Sequence, residues 1–278
     1  MSKQLKLLGY GAGRQTIRYR LPDLSWRLLN MVLKILKTEH RAREDARKRR
    51  HRVSIRILAQ GAVMGQDSAH VGDCKKKRVW AEVQKDLAIL EGRSRGDGKA
   101  LTGQAMLGQL RRLKAEGRLP LVLSTDNGSA YCCTIVEAWL KRHCVVHLRS
   151  RPRTPTDNGA TERAIGEGKA LSGLGKGIRI KRPADGPRLL EKALKVLNRA
   201  WPRSSRGGLS SRRLKKCLPH WRTKVGRQDF YETVLRAVRR RTRGLKGRTL
   251  RGETREAIFT TLVRFGLAKR WKRPKRIN

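Results

Sequence analysis

The pattern of hydrophobic and polar positions changes character near residue 53. Before it, apolar residues recur at helical spacing over 25–36, and residues 41–50 are almost wholly charged. This predicts a basic helix that continues as a solvated linker. After it, four apolar or mixed runs predict strands: 55–64, 79–90, 119–124 and 145–148. Helical periodicity predicts three helices among them: 100–116, 135–143 and 161–174. Strands that alternate with helices indicate an α/β core.

This pattern divides the chain into three regions. We expect a basic helical region over 1–52, the α/β core over 53–203, and a basic C-terminal extension over 204–278. In the extension, five apolar residues predict one amphipathic helix between two cationic stretches: Ala257, Ile258, Leu262, Phe265 and Leu267. Such cationic stretches are typical of sequence-independent phosphate binding.

The N-terminal region contains a weak sequence motif of its own. A short apolar segment, a glycine-containing turn and a second helical segment are the pattern of a partial helix-turn-helix. Its candidate DNA-reading residues are Arg14, Gln15, Thr16 and Arg18. The alternative is a basic helical hairpin without a reading function.

The net charge indicates the class of partner. Among 278 residues, 68 Lys and Arg oppose 22 Asp and Glu, a formal charge of +46. A charge of this size implies a polyanionic partner. Nucleic acid is the first candidate, and an anionic membrane surface is the second. No stretch reaches the roughly 20 apolar residues of a membrane-spanning helix, and the N-terminus lacks the pattern of a secretory leader. Five cysteines without a C-x-x-C pair favour a reducing compartment.

Two segments of the core contain Asp-Asn-Gly. One, Ser124-Thr125-Asp126-Asn127-Gly128, directly follows the most apolar predicted strand. The other, over 151–163, leads into the helix predicted over 161–174. Asp, Asn and Gly are typical of tight turns and helix starts. However, each segment also contributes an acidic residue in a chain that has few of them. Asp126 would lie at a strand end and Glu162 in the first turn of a helix, with the 35 residues 127–161 between them.

A third acid, Asp67, closes the segment 61–66 and precedes Ser68-Ala69-His70. Three carboxylates on two strand ends and a helix can converge on a pair of divalent cations. Mg²⁺ and Mn²⁺ prefer oxygen ligands, and two such ions about 4 Å apart stabilise the attacking and leaving oxygens of a phosphoryl displacement. Asp73 and Asp86 are the alternative candidates for the first acid.

With this spacing, Asp67, Asp126 and Glu162 resemble the D,D-35-E signature of the retroviral-integrase-like DDE transposases of bacterial insertion sequences. The Asp-Asn-Gly segments around Asp126 and before Glu162 are similar to that family's local motifs, and the resemblance covers roughly residues 53–203. The context of the first acid departs from the pattern. The family usually has an aromatic residue a few positions before it, where this chain has Met64.

The resemblance implies an RNase H-like fold, in which helices flank a mixed five-stranded sheet. It also implies that two Mg²⁺ or Mn²⁺ ions, held by Asp67, Asp126 and Glu162, support hydrolysis of a DNA phosphodiester. The freed 3′-hydroxyl would then attack target DNA. The expected partners are therefore element ends, target DNA and further copies of the chain, in a bacterial cytoplasm with its nucleoid.

Two cations near Glu162 are candidate DNA contacts. Lys169 follows Glu162 by seven residues, nearly two helical turns, so both project from one helix face. In the transposase family that this chain resembles, a lysine at the position of Lys169 contacts DNA near the cleaved phosphate. Arg163 is a further candidate for a phosphate contact. The residues alone leave three alternatives open: a nuclease that stops at hydrolysis, an inactive transposase remnant, and a non-catalytic nucleic-acid-binding protein.

Overall fold

A five-stranded mixed sheet forms the centre of the protein. The computed structural model describes residues 53–151, 154 and 157–272. The sheet contains β2 (Val63–Cys74), β3 (Lys77–Asp86), β4 (Gly92–Gly98), β5 (Val122–Thr125) and β6 (Val146–Arg149), in the order β4-β3-β2-β5-β6. β2, β3 and β4 are antiparallel neighbours, whereas β5 and β6 run parallel to β2. This is the sheet of an RNase H-like fold, so the predicted fold class is confirmed.

Helices cover the sheet, some of them between its strands in the chain and the others after its last strand. They are α1 (Gly103–Ala115), α2 (Ser129–Cys132), α3 (Thr134–Arg142), α4 (Gly159–Ser172), α5 (Asp185–Ala200), α6 (Ser211–Cys217), α7 (Arg227–Thr242) and α8 (Gly247–Arg264). A second sheet pairs β1 (Val53–Ile57) with β7 (Ala268–Lys272). Among the described residues, no helix is both long and apolar enough to span a membrane.

Three hydrophobic clusters hold these elements together. One packs α1, α2 and α3 against one face of the sheet through residues such as Met106, Leu110 and Leu140. A second packs α4 and α5 against β2 and β3 on the other face. The third joins the first residues of β2 and β5 to α7 and α8, with Phe230 and Ile258 at its centre.

The chain divides into two compact units. One is Ile55–Arg270, and the other is Met1–Ser54 with Trp271–Asn278. Residues 204–270 thus pack into the unit that contains the sheet, while the predicted three-region division stays a prediction. Residues 1–52 and 273–278 lie outside the described residues. The helix-turn-helix prediction with Arg14, Gln15, Thr16 and Arg18 therefore falls there.

Several predicted elements need correction. The strand predicted over 55–64 is two strands, since β1 ends at Ile57 and β2 begins at Val63. The strand predicted to reach residue 90 ends at Asp86, whose carboxylate accepts hydrogen bonds from the backbone N–H groups of Gly61, Ala88 and Ile89 and so fixes a turn. β4 was not predicted, because its sequence of glycine, arginine and serine lacks an apolar alternation.

Candidate active site

Asp67 and Asp126 lie at the same level of two adjacent parallel strands. In the pairing of β2 with β5, Gly65 is opposite Ser124, an offset of 59 residues. The same offset leads from Asp67 to Asp126, which directly follows the last residue of β5. Because parallel strands keep a constant register, Asp126 follows the sheet on the level of Asp67, close enough for its charge to act on Asp67.

The position of Asp67 within its strand differs from the prediction. β2 continues past Asp67 to Cys74, and Asp67 is paired with Val83 of β3. The polar residues after Met64 suggested a strand end, but hydrogen bonds to β3 keep them in the sheet. Asp67 is therefore an interior strand residue, and Asp126 alone lies at a strand end.

Carboxylate crowding changes the protonation of Asp67. Burial and then repulsion from Asp126 raise the pKa of Asp67 to about 6, with smaller contributions from Glu162 and Glu82. The backbone N–H of Ser68 opposes this rise by a hydrogen bond. Four acids thus share one neighbourhood, where a bound cation would relieve their repulsion.

Backbone and amide donors fix the two aspartates. Asp67 Oδ1 accepts a hydrogen bond from the Ser68 N–H at 2.9 Å, and its Oδ2 accepts one from Asn158 Nδ2 at 3.1 Å. Asp126 Oδ1 accepts from the Gly128 N–H at 2.9 Å. The asparagine of the second Asp-Asn-Gly segment therefore holds the first acid, and so the two segments meet at one site.

Glu162 lies where the sequence predicts it, in the first turn of a helix. Its side chain is exposed and has no hydrogen-bond or ion-pair partner in the part of the chain that the structure describes. It repels Asp67, so α4 presents it to the same neighbourhood. The catalytic roles of Asp67, Asp126 and Glu162 stay predictions.

Gly65 permits the close approach of α4 to β2. A Cβ at Gly65 would lie 2.2 Å from Oγ1 of Thr161, whose side chain is fully buried at the start of α4. Since Thr161 directly precedes Glu162, the missing side chain allows the helix start to lie beside Asp67. The sequence analysis passed over this glycine because the contact joins residues nearly 100 positions apart.

We expect Gly65→Ala to destabilise the protein by about 1–3 kcal/mol, because overpacking forces α4 to shift. Gly166→Ala is the matched control on α4, since a Cβ there would meet nothing within 4 Å and alanine favours a helix by about 0.5–1 kcal/mol. Thermal melts of both variants check the difference. A Gly65→Ala protein that melts with the wild type would contradict this packing.

Glu82 is a site residue that the sequence analysis missed. It is 3% exposed, and it accepts hydrogen bonds from Ser68 Oγ at 2.6 Å and from Tyr131 Oη at 2.9 Å. Burial raises the pKa of Glu82 and outweighs the hydrogen bonds from Ser68, Tyr131 and Gln66 that lower it, while repulsion from Asp126 adds a smaller increase. No turn or spacing around Glu82 distinguishes it in the sequence, because its position depends on the pairing of Ser68 with Glu82 across β2 and β3.

The candidate phosphate contacts differ in their surroundings. Lys169 is half-buried, and burial lowers its pKa while attraction to Asp67 opposes that shift. Lys169 therefore lies in the same neighbourhood as the carboxylates. Arg163 is exposed, and its charge acts on the buried Lys85. Their contact with DNA stays a prediction.

The alternative first acids have other partners. Asp86 is buried and accepts three backbone hydrogen bonds in the turn after β3. Asp73 accepts from the Gly177 N–H at 3.1 Å and pairs with His70 at 3.1 Å. Both carboxylates stabilise loops, whereas burial and repulsion from Asp126 raise the pKa of Asp67; the role of Asp67 as the first acid stays a prediction.

The donor chemistry of this neighbourhood fits a hard divalent cation. Asp67, Asp126 and Glu162 offer only oxygen ligands, and their mutual repulsion favours a bound positive charge. In the described ranges, no three His, Cys, Asp or Glu side chains already form a metal-binding cluster. Glu162, whose exposed side chain is unpaired there, would have to turn towards the two aspartates to complete such a set.

Comparisons with known proteins give structural likeness alone. No protein-family model and no curated protein matches this chain. Its structure is similar to the HTLV-2 integrase catalytic core domain solved with magnesium (20% identity, 57% of this chain and 99% of that one, TM-score 0.44). It is also similar to a simian T-cell lymphotropic virus intasome solved with a PP2A regulatory subunit (20% identity, 76% of this chain and 74% of that one, TM-score 0.46). A third similar structure is the BIV integrase catalytic core (19% identity, 55% of this chain and 93% of that one, TM-score 0.41).

Proposed function

We propose that this chain is a DNA transposase or integrase that cleaves a DNA phosphodiester and joins the freed end to target DNA. The observation that carries the proposal is the placement of Asp67 and Asp126 two residues beyond the paired Gly65 and Ser124 of β2 and β5, where burial and repulsion from Asp126 raise the pKa of Asp67 to about 6. A carboxylate pair of this kind, in a chain of net charge +46, suits a divalent cation beside a polyanionic substrate.

The residues of the site have distinct proposed roles. Asp67, Asp126 and Glu162 would hold two Mg²⁺ or Mn²⁺ ions, which stabilise the attacking and leaving oxygens when bound. The Ser68 N–H and the Asn158 amide orient Asp67. Lys169 would contact the phosphate beside the carboxylates.

The two steps balance as phosphoryl transfers. In cleavage, the oxygen of water bonds to phosphorus, the P–O3′ bond breaks, and a proton passes to the leaving 3′-oxygen. In strand transfer, the freed 3′-hydroxyl loses its proton and its oxygen bonds to a target phosphorus, while the P–O3′ bond of the target breaks and the leaving 3′-oxygen takes up a proton. Because two element ends are joined to one target, we propose that the working form contains at least two copies of the chain.

Supercoiled plasmid DNA tests the first step. We expect the wild-type chain to nick it in Mg²⁺ or Mn²⁺ and to stop when EDTA is added. Joining of a labelled 3′-hydroxyl oligonucleotide to the plasmid would report strand transfer. Nicking that persists in EDTA would overturn the proposal, as would salt-sensitive DNA binding without nicking, which would identify a non-catalytic nucleic-acid-binding protein.

A further inference from the structure

Helix α8 contacts both Asp-Asn-Gly segments, although it lies about 90 residues beyond the second one. Arg251 Nη1 donates to Asn127 Oδ1 and, at 3.1 Å, to the Ser150 carbonyl oxygen. Asn127 Nδ2 donates to the same carbonyl at 3.0 Å. Arg251 thus ties the residue after Asp126 to the end of β6.

Arg255 holds the second segment from the next turn of α8. Its Nη2 donates to the Asp157 carbonyl oxygen at 3.4 Å, and its Nη1 lies 3.8 Å from Asp157 Oδ2. Asp157 also accepts three hydrogen bonds from Arg151, at 2.9, 3.0 and 2.9 Å. The Arg255 guanidinium lies 4.9 Å from the ring centroid of Phe259.

The helix that carries the two arginines is itself well fixed. Residues four apart share a helix face, so Arg251 and Arg255 both project towards the segments. Further along the same helix, Ile258 and Leu262 are fully buried in the hydrophobic cluster that includes the first residues of β2 and β5. Helix α8 therefore holds Asn127, which follows Asp126, and Asp157, which lies in the segment that leads to Glu162.

We propose that Arg251 and Arg255 are positioning residues that hold Asp126 and Glu162 in register through Asn127 and Asp157. This inference rests on the proposed function. Arg251 Nη1 and Arg255 Nη2 donate to protein oxygens, so in this proposal the two arginines set the geometry of the site rather than bind DNA phosphates. The C-terminal extension then acts on the site directly, in addition to any role of its cationic stretches.

The test compares Arg251→Gln/Arg255→Gln with Arg264→Gln, which removes an exposed cation from the last turn of the same helix. We expect the double variant to lose about 10- to 100-fold in nicking rate at saturating DNA, because a misplacement of about 1 Å can have such an effect. Its Kd for DNA should stay within about threefold of that of Arg264→Gln. Arg251→Lys should recover part of the rate.

Amide hydrogen exchange provides a readout that does not need activity. Peptides over 124–130 and 157–163 should exchange faster in the double variant than in Arg264→Gln, even if the wild type fails to nick DNA and the proposed function falls. Unchanged exchange with an unchanged rate would overturn the inference, and so would a weaker Kd with an unchanged rate. If the double variant does not melt cooperatively, Arg251→Lys alone tests the inference. It should then nick DNA more slowly than the wild type, and its peptides over 124–130 should exchange faster.

Discussion

Asp67→Asn is expected to abolish DNA cleavage and, in the metal-free protein, to raise the melting temperature. The loss of a metal-holding carboxylate should remove several kcal/mol of transition-state stabilisation, and about 4 kcal/mol corresponds to a rate loss of about 10³-fold. The same carboxylate destabilises the folded protein near neutral pH, because burial and Asp126 raise its pKa to about 6. Plasmid nicking and thermal melts of one preparation measure both effects.

The pH dependence follows from the direction of this shift. The pKa of Asp67 is higher in the folded protein than the ordinary aspartate value of 3.8, so the folded chain holds more protons between about pH 4 and pH 6. Wild-type stability from this group therefore falls as the pH rises through that window. A rise of the Asp67 pKa from 3.8 to about 6 corresponds to about 3 kcal/mol. Solvent screening and the lost Asn158 hydrogen bond reduce the expected gain to about 1 kcal/mol at pH 7, and none remains at pH 4.

Asp73→Asn is the matched control for this prediction. Asp73 lies on the same strand and is the alternative first acid, so its variant should nick DNA within about threefold of the wild type. Added Mg²⁺ should raise the melting temperature of the wild type more than that of Asp67→Asn, because a ligand stabilises the state that binds it. Loss of cleavage in Asp73→Asn with retention in Asp67→Asn would show that the first acid was misassigned.

The sequence indicates those parts of the site that local chemistry determines. The apolar run before Asp126 and the helix start before Glu162 are local signals, and both elements are found within a few residues of their predicted bounds. The pattern of strands and helices likewise predicts an α/β core, whereas the mixed five-stranded sheet is implied by the family resemblance. Asp67 was chosen by resemblance, and its place inside β2 could not be predicted because pairing with β3 extends the strand through polar residues.

What the sequence does not indicate are contacts between distant residues. The need for glycine at position 65 depends on Thr161, and the burial of Glu82 depends on Ser68 and Tyr131. Arg251 is indistinguishable in the sequence from dozens of other cations, since only the fold brings it to Asn127. Such long-range pairs have no periodicity or spacing from which they could be predicted.

The largest expected effect on stability concerns α7, in the C-terminal extension. Phe230 is fully buried in the cluster that also contains Val63 and Val122, and its ring centroid lies 6.0 Å from that of Phe265. Phe230→Ala should therefore lower the free energy of unfolding by about 3–5 kcal/mol, through lost burial and the cavity that remains. In a chain of this size that corresponds to a fall of roughly 10 °C in melting temperature.

The form of the melt matters as much as its midpoint. Because one cluster joins α7 and α8 to the first residues of β2 and β5, we expect far-UV circular dichroism to show one transition that Phe230→Ala shifts as a whole. Arg239→Ala, an exposed change on the same helix, should leave it within about 0.5 kcal/mol. Two transitions, of which only the smaller moves, would mean that residues 204–270 unfold on their own. The helix that carries Arg251 and Arg255 would then be too loosely attached to hold Asp126 and Glu162 in register.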